Sequence, residues 1–268
     1  MGEWTLSQPT VIEVDDAIHA VDVRVVSGHV DLVCGEGDGA HVEVTEIDGP
    51  PLRVTVDNGR LTIAHEDLHW PSLLGFRLRA RERRRAVVSI AVPIRCSATV
   101  GVVTADAIIA GLAGDVTVRC VSGDVTLDGT GGEVQVQTVS GDCELRDIAG
   151  AISLTTVSGG VTVVEGRPPS VRAKSVSGDV TLDLHSTGAV LVDVTTVSGD
   201  LTVRLPSSTG LDVDVVSTSG EVASAFDGVE LSKRPGVHRM SGRVGDGTGR
   251  LRGRSVSGRV ALLASGQP

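Results

Sequence analysis

One short motif in this sequence has the residue types and the spacing of a zinc-dependent hydrolase. His65, Glu66 and His69 fit the pattern H-E-x-x-H, in which two histidines one helical turn apart bind zinc and the glutamate activates a water molecule. That geometry requires a helix, but the motif follows the strand-like residues 61–63, and Pro71 would break a helix just after it. The sequence therefore favours a non-enzymatic protein without a cofactor, and hydrolysis with His65 and His69 as metal ligands is kept as the alternative.

A second candidate is a column of acidic residues, each of which follows a Ser-Gly pair. Stacked carboxylates could bind calcium, but the tandem Gly-Gly-x-Gly-x-Asp units of calcium-binding repeats are absent from the sequence. Aspartate at a turn also accepts hydrogen bonds from nearby backbone N–H groups. We therefore expect a structural role for the members of this column, which are Asp124, Asp142, Asp179, Asp200 and Glu221.

The third candidate is an arginine-rich segment, residues 68–85. It holds two of the four aromatic residues of the chain and six of its 24 basic residues. Aromatic and arginine side chains dominate binding hot spots, and arginine also binds phosphate and carboxylate groups. The segment is predicted either to be a solvated hairpin tip or to bind a partner protein or an anionic surface, through Trp70, Phe76, Arg77, Arg79, Arg81, Arg83, Arg84 and Arg85.

Most of the chain is built from a repeat that must position any such site. A Ser-Gly pair recurs with its glycine at positions 123, 141, 159, 178, 199 and 220, so the period is 18 to 21 residues, which is typical of stacked structural units. Apolar residues stand seven and five positions before the glycine and two and four positions after it, and the residues between them are mostly polar. Because strict alternation indicates strands with one buried face, each unit is predicted to be one coil of a β-solenoid, with two strands per coil.

The two ends of the chain depart from the regular repeat. The pattern occurs once in residues 21–32, and Asn58-Gly59 between two alternating segments predicts a β-hairpin with a type I′ turn. Further copies, with glycine at 242 and 258, predict C-terminal coils. We therefore expect one elongated all-β domain, 1–268, with an N-terminal coil and an antiparallel hairpin cap in 1–100, a regular solenoid in 101–224, and an irregular loop and C-terminal coils in 225–268.

The repeated Val-Ser-Gly-Asp-Val, preceded by a strand that ends at Pro93, resembles the bacterial "putative adhesin" family of β-solenoids, a domain of unknown function. The resemblance covers about residues 10–262. It implies a non-enzymatic, surface-associated or envelope-associated interaction module, and it supplies no catalytic residue to transfer to this chain. A scaffold that binds a protein or an envelope surface is therefore the expected function.

Charge is distributed unevenly along the chain. Residues 101–230 carry 18 acidic and 6 basic side chains, whereas residues 231–268 carry 1 acidic and 8 basic ones. Nucleic-acid binding by the acidic body is not expected, because phosphate contact requires clustered lysine or arginine. The uneven charge either keeps a β-rich rod soluble with its edges unpaired or allows head-to-tail attraction between molecules. A self-assembling rod whose exposed coil ends stack is the second alternative.

The cysteines and the N-terminal residues bear on location. The four cysteines form no C-x-x-C pair, and we predict free, buried thiols. Residues 1–30 contain five acidic residues and no continuous apolar stretch, and no window reaches about 18 consecutive apolar residues. We therefore expect neither a signal peptide nor a transmembrane segment, and a location in the cytoplasm or at the periphery of its membrane.

Overall fold

The computed structural model describes residues 2–65, 84–186 and 188–266, which form strands and turns and no helix. It divides into two compact units, residues 1–124 and 125–268. The first unit contains β1 (Gly2–Leu6), β2 (Thr10–Val14), β3 (Ala20–Cys34), β4 (Ala40–Asp48), β5 (Leu52–Asp57), β6 (Arg60–His65), β7 (Arg85–Val92), β8 (Ser97–Ala110) and β9 (Val116–Cys120). The second contains β10 (Val125–Asp128), β11 (Val134–Thr138), β12 (Cys143–Arg146), β13 (Ile152–Thr156), β14 (Val161–Gly166), β15 (Ser170–Ser175), β16 (Val180–Leu184), β17 (Leu191–Thr196), β18 (Leu201–Pro206), β19 (Leu211–Ser217), β20 (Val222–Ser224), β21 (Val229–Arg234), β22 (Val237–Val244), β23 (Gly249–Ser255) and β24 (Val260–Ser265).

The first unit is organised around the long strand β3. This strand pairs in parallel with β8 along one edge, and with β6 and then β7 along the other. The pairs β1–β5, β2–β4, β4–β7 and β5–β6 are antiparallel, as the predicted cap requires. The β5–β6 turn has positive φ at both Asn58 (47°) and Gly59 (69°), which confirms the predicted type I′ hairpin.

The second unit is a β-solenoid in which each coil gives one strand to each of two sheets. We call them the front sheet, with strand order β11, β13, β15, β17, β23, β19, β22, β21, and the back sheet, with order β10, β12, β14, β16, β18, β24, β20. The coils are parallel and in register: Val134 lies beside Ile152, and Val171 lies beside both Ile152 and Val192. The predicted solenoid is therefore confirmed, with the period that the glycines indicate.

The predicted apolar columns form the core between the two sheets. On the back sheet, Val125, Cys143, Val161, Val180 and Leu201 are all at most 3% exposed. On the front sheet, Val134, Ile152, Val171 and Val192 are equally buried. Burial of these columns in every coil supplies the hydrophobic contribution to stability, at about 25 cal/mol per Å² of apolar surface removed from water.

The coils do not stack in the order of the chain. The coil formed by β23 and β24 lies between the coil of β17 and β18 and the coil of β19 and β20. Arg252 consequently lies between Asp193 and Asp214 on the front sheet. Stacking in chain order would place the two aspartates side by side, and like charges directly opposite one another are destabilising. The basic end of the chain therefore meets the acidic body within one molecule.

One predicted C-terminal coil is wrong. Residues 240–244 carry the Ser-Gly pattern, but they lie in β22, which pairs antiparallel with β19 and with β21. The pattern around Gly258 does form a coil, with β23 before the corner and β24 after it. The difference arises because Pro235-Gly236 reverses the chain between β21 and β22 and makes a hairpin there.

At most of the regular corners, a glycine is bonded to a buried hydroxyl three residues before it. Gly178 lies so close to the preceding coil that a Cβ atom would be 1.9 Å from the carbonyl oxygen of Gly159. The Ser175 hydroxyl accepts a hydrogen bond from Gly178 N–H at 2.9 Å and donates one to the Gly178 carbonyl oxygen at 2.7 Å. Thr156, Thr196 and Ser255 make the same pair of bonds in their coils.

We predict that Gly178→Ala lowers the free energy of unfolding by at least about 2 kcal/mol, because the new methyl group would overlap backbone atoms that cannot move independently. Gly188→Ala is the matched control, since nothing lies within 4 Å of a Cβ atom there, and we expect a change within about 0.5 kcal/mol. Urea denaturation of both variants measures the difference. Equal midpoints would show that the corner does not require glycine.

A second prediction concerns the inserted coil. Arg252→Glu would place three carboxylates side by side on adjacent strands, whereas Arg254→Glu faces only Thr195 and Val216. With two unfavourable cross-strand pairs, Arg252→Glu should cost about 1–2 kcal/mol more than Arg254→Glu in urea at low salt. The difference should shrink at about 1 M salt, where the screening length is about 3 Å. A cost that is the same for both variants would remove charge as the reason for the coil order.

Candidate functional site

Of the predicted arginine-rich docking segment, residues 68–85, the structure describes only the C-terminal end. Trp70, Phe76, Arg77, Arg79, Arg81 and Arg83 lie outside the described residues, and Arg84 and Arg85 lie within them. Arg85 Nε donates a hydrogen bond to Glu46 Oε1 at 2.9 Å, and the Arg84 carbonyl oxygen accepts hydrogen bonds from the N–H and the hydroxyl of Ser27. These two residues contact β3 and β4, so their first role is to hold the start of β7. Recognition by the segment as a whole stays a prediction.

The hydrolase-like motif begins in a strand. His65 is the last residue of β6, lies opposite Leu52 of β5 and is 1% exposed, while Glu66 and His69 lie outside the described residues. Successive side chains of a strand point to opposite faces, whereas H-E-x-x-H chemistry needs both histidines on one face of a helix. Among the described residues, no group of three or more His, Cys, Asp or Glu side chains is arranged to hold a metal ion.

The acidic column at the corners bonds the backbone of the next coil. Asp142 Oδ1 accepts a hydrogen bond from Gly160 N–H, Asp179 Oδ1 from Asp200 N–H, and Asp200 Oδ1 from Arg259 N–H, each at 2.8 Å. In the first unit, Asp106 Oδ1 accepts from Asp124 N–H at 3.0 Å. These bonds satisfy backbone donors where the strands end, which is the structural role that the sequence predicts.

A group of cations that the sequence analysis missed lies on the outward side of the front sheet. Strands β15, β17, β23, β19 and β22 carry seven exposed cations there and three exposed carboxylates, a net charge of +4 in a chain whose net charge is −10. We call this surface the basic face. Its cations are Arg172, Lys174, Arg239, Arg243, Arg250, Arg252 and Arg254, and its carboxylates are Asp193, Asp212 and Asp214.

The basic face is only partly neutralised within the molecule. Arg239 Nη2 lies 2.7 Å from Asp214 Oδ1, and Arg250 Nε lies 4.0 Å from Asp212 Oδ2. Arg172, Lys174 and Arg254 form no ion pair within 4 Å with any other residue that the structure describes. Three guanidinium or ammonium groups are therefore available to an anionic ligand.

A shallow groove of about 300 Å³ lies along β13, β15, β17 and β23 and overlaps the basic face. Its polar lining consists of Ser153 and Ser170, three arginines and two carboxylates, the charged residues being Arg172, Arg250, Arg252, Glu133 and Asp193. Arginines from two coils, that of β15 and that of β23, therefore border one depression. Such an arrangement can bind phosphate or carboxylate groups through charge-assisted hydrogen bonds.

The sequence analysis missed the basic face because it summed charge along the chain. Arg250, Arg252 and Arg254 belong to the basic end, whereas Arg172 and Lys174 belong to the acidic body, and only the coil insertion brings them together. The alternation of Arg-x-Arg-x-Arg at 250–254 was a readable signal, because three arginines at a spacing of two must share one face of a strand.

The cysteines are free thiols, as predicted, but they are not all buried. Cys96, Cys120 and Cys143 are buried, and Cys34, at the end of β3, is exposed. Burial raises the pKa of the Cys96 thiol to about 11. Cys120 replaces the corner hydroxyl in its coil, since its Sγ atom lies 3.1 Å from Gly123 N and 3.0 Å from the Gly123 carbonyl oxygen.

Comparison with known proteins identifies one family and several structures of the same fold. Residues 15–246 match the family described as Toastrack DUF4097. A "putative lipid binding protein" from Parabacteroides distasonis is 14% identical, with a TM-score of 0.57 and coverage of 96% of this chain and 97% of that one. A "putative adhesin" from the same species is 13% identical, with a TM-score of 0.51 and coverage of 96% and 97%. Another "putative adhesin", from Bacteroides fragilis, is 12% identical, with a TM-score of 0.50 and coverage of 96% and 98%.

No curated protein matches the chain at a significant level. At these identities the solved structures establish the shared fold and leave the ligand open. Within the described residues there is also no helix that could span a membrane.

We predict that a thiol reagent modifies one cysteine per folded chain, Cys34, and four after unfolding in urea. The thiolate is the reactive form, so a Cys96 thiol with a pKa of about 11 stays protonated and unreactive at neutral pH. Cys34→Ser should remove the labelling of the native protein altogether. Rapid modification of two or more thiols in the native state would contradict the burial of the other three.

Proposed function

Because the chain belongs to the Toastrack DUF4097 family, and because its solenoid presents a basic face on an acidic protein, we propose that it is a non-enzymatic interaction module that binds an anionic envelope surface. The basic face is the observation that carries the proposal. It spans five adjacent strands, or about 19 Å at about 4.8 Å per strand. Pairing in register, parallel from β15 to β19 and antiparallel between β19 and β22, holds its cations in rows on the sheet.

Rows of cations on a flat sheet suit a surface that is itself flat and repetitive. A membrane of anionic phospholipids presents phosphate groups at many equivalent positions, and each basic residue near such a surface contributes about 1 kcal/mol of binding free energy. Two of the similar structures carry the names "putative lipid binding protein" and "putative adhesin", and binding of this chain to a lipid surface would agree with both. The arginine-rich segment 68–85 would add further cations to the same kind of contact.

We propose a location in the cytoplasm, at the periphery of the membrane. Free thiols, of which one is exposed, support this location, because exposed thiols do not persist in oxidising compartments. Metal-dependent hydrolysis has less support than binding, because His65 lies buried in a strand. Separation of the native cells into soluble, membrane and secreted fractions tests the location, and recovery in the secreted fraction would contradict it.

The direct test is sedimentation with phospholipid vesicles. We predict that the wild type sediments with vesicles rich in phosphatidylserine and not with neutral phosphatidylcholine vesicles. Replacement of Arg172, Lys174 and Arg254 by Ser should weaken binding by at least about 100-fold, since it removes about 3 kcal/mol. None of the three makes an ion pair with the described residues, so the melting temperature should hold.

The matched control replaces Arg60, Arg95 and Arg167 by Ser, none of which makes an ion pair with the described residues. These exposed arginines lie outside the basic face, and their loss changes the net charge equally. Equal losses in the two variants would show that net charge acts instead of the basic face. If the wild type sediments with neither kind of vesicle, the membrane proposal is wrong. An acidic partner protein is then the ligand to test on the basic face.

A further inference from the structure

The two sheets of the second unit differ in extent at one end. The front sheet continues from β19 to β22 and β21, whereas the back sheet ends at β20, a strand of only three residues. The core-facing side of β21 and β22 therefore extends beyond the last back-sheet strand. Every earlier coil has a strand in both sheets, so this end has the place for one more back-sheet strand.

A groove of about 550 Å³ lies at that place. It is lined by Val222 and Ala223 of β20 on one side and by Leu231, Lys233 and His238 of the β21–β22 hairpin on the other, with Glu221 and Arg259 at the corner. Leu231 lies opposite Met240, and Met240 lies opposite Val215. Met240 and Val215 are fully buried, whereas Leu231 is 54% exposed although it continues the same core-facing row.

The backbone of β20 is paired on one side only. β20 pairs with β24, and no other described strand pairs with it. The Glu221 carbonyl oxygen accepts from Val260 N–H, and Ala225 N–H donates to the Leu262 carbonyl oxygen, so these residues face β24. Because backbone groups alternate along a strand, the N–H and C=O groups of Val222 and Ser224 face the groove. An exposed strand edge of this kind is a template for a further strand.

We propose that this groove binds an extended peptide strand of a partner protein, which pairs with the free edge of β20. Its alternate apolar side chains cover Leu231 and Val222 and complete the core at this end. The inference is independent of the basic face, because none of the groove residues belongs to it. Backbone pairing supplies affinity in such complexes, and the pockets for alternate side chains supply specificity.

The charges of the groove indicate an acidic strand. Lys233 and Arg259 are both exposed, and Glu221 is the single carboxylate among the lining residues. His238 Nδ1 lies 2.6 Å from the Gly220 carbonyl oxygen and so donates its proton to that atom. The partner strand therefore carries apolar residues at alternate positions and a carboxylate toward Lys233 and Arg259. The back-sheet strands of this chain have that composition, for example Val-Thr-Leu-Asp in β10.

The probe is a synthetic peptide with the sequence of residues 178–184, Gly-Asp-Val-Thr-Leu-Asp-Leu, which includes β16. We expect saturable binding of this peptide to the full chain by fluorescence anisotropy. A peptide with proline in place of Thr181 should not bind, since it lacks the central N–H that pairing requires. Hydrogen exchange should slow at Val222 and Ser224 in the presence of the first peptide and not of the second.

Two protein variants assign the binding to the groove. Leu231→Asp should weaken binding by about tenfold or more, because it removes the apolar contact and adds a charge that repels the peptide. Lys233→Glu should also weaken it, whereas Lys174→Glu, on the basic face, is the matched control and should bind as the wild type does. The exposure of Leu231 and Lys233 makes these changes compatible with the fold.

Three results would overturn the proposal. The first is no saturable binding of the peptide, and the second is binding that Leu231→Asp and Lys233→Glu leave unchanged. The third is concentration-dependent dimerisation of the wild type, measured by sedimentation, that Leu231→Asp abolishes, because the groove would then hold a second copy of this chain.

Discussion

The close approach of successive coils at the glycine corner is the constraint on which the second unit depends. At Gly178, a side chain of any size would overlap the carbonyl group of Gly159, and the Ser175 hydroxyl binds both polar groups of the glycine. The hydroxyl satisfies a buried N–H and a buried C=O where no strand partner is available, and an unsatisfied group there would cost about 1–3 kcal/mol. The contact between successive corners therefore fixes how one coil is placed on the next. The register of the strands on both sides of the corner follows from that placement.

Register in turn decides which charges meet. Because equivalent residues lie side by side, an aspartate in one coil must face whatever occupies the same column in the next coil. Arg252 separates Asp193 from Asp214 on the front sheet. The inserted coil thus relieves repulsion that the acidic body would otherwise contain. The same insertion adds arginines to Arg172 and Lys174, so the coil order that stabilises the solenoid also creates its basic face.

The sequence predicts the coil because one side of each strand is buried, and burial leaves a period of two that can be read directly. The same reasoning finds the hairpin at Asn58-Gly59, whose positive φ angles are a local requirement. It fails at Gly242, where a proline-glycine turn converts a repeat copy into an antiparallel strand, and it fails to find the coil order, because every coil has similar apolar columns. The sequence does not predict the basic face for the same reason: Arg172 and Arg252 are about 80 positions apart in the chain, and only the insertion of the last coil brings their strands together.

The inserted coil also has a consequence for how the protein can be made. Strand β19 is synthesised about 40 residues before β23, the strand with which it finally pairs. At about 5–20 residues per second, β23 follows about 2 to 8 s later. During that interval the edge of β17 is unpaired. Strand β19 has the length and the apolar columns to pair with β17 in the place that β23 later takes. Asp214 would then meet Asp193 with no cation between them. The two carboxylates make the premature closure less favourable, so they raise the fraction of chains in which this edge is still free when the last coil has been synthesised.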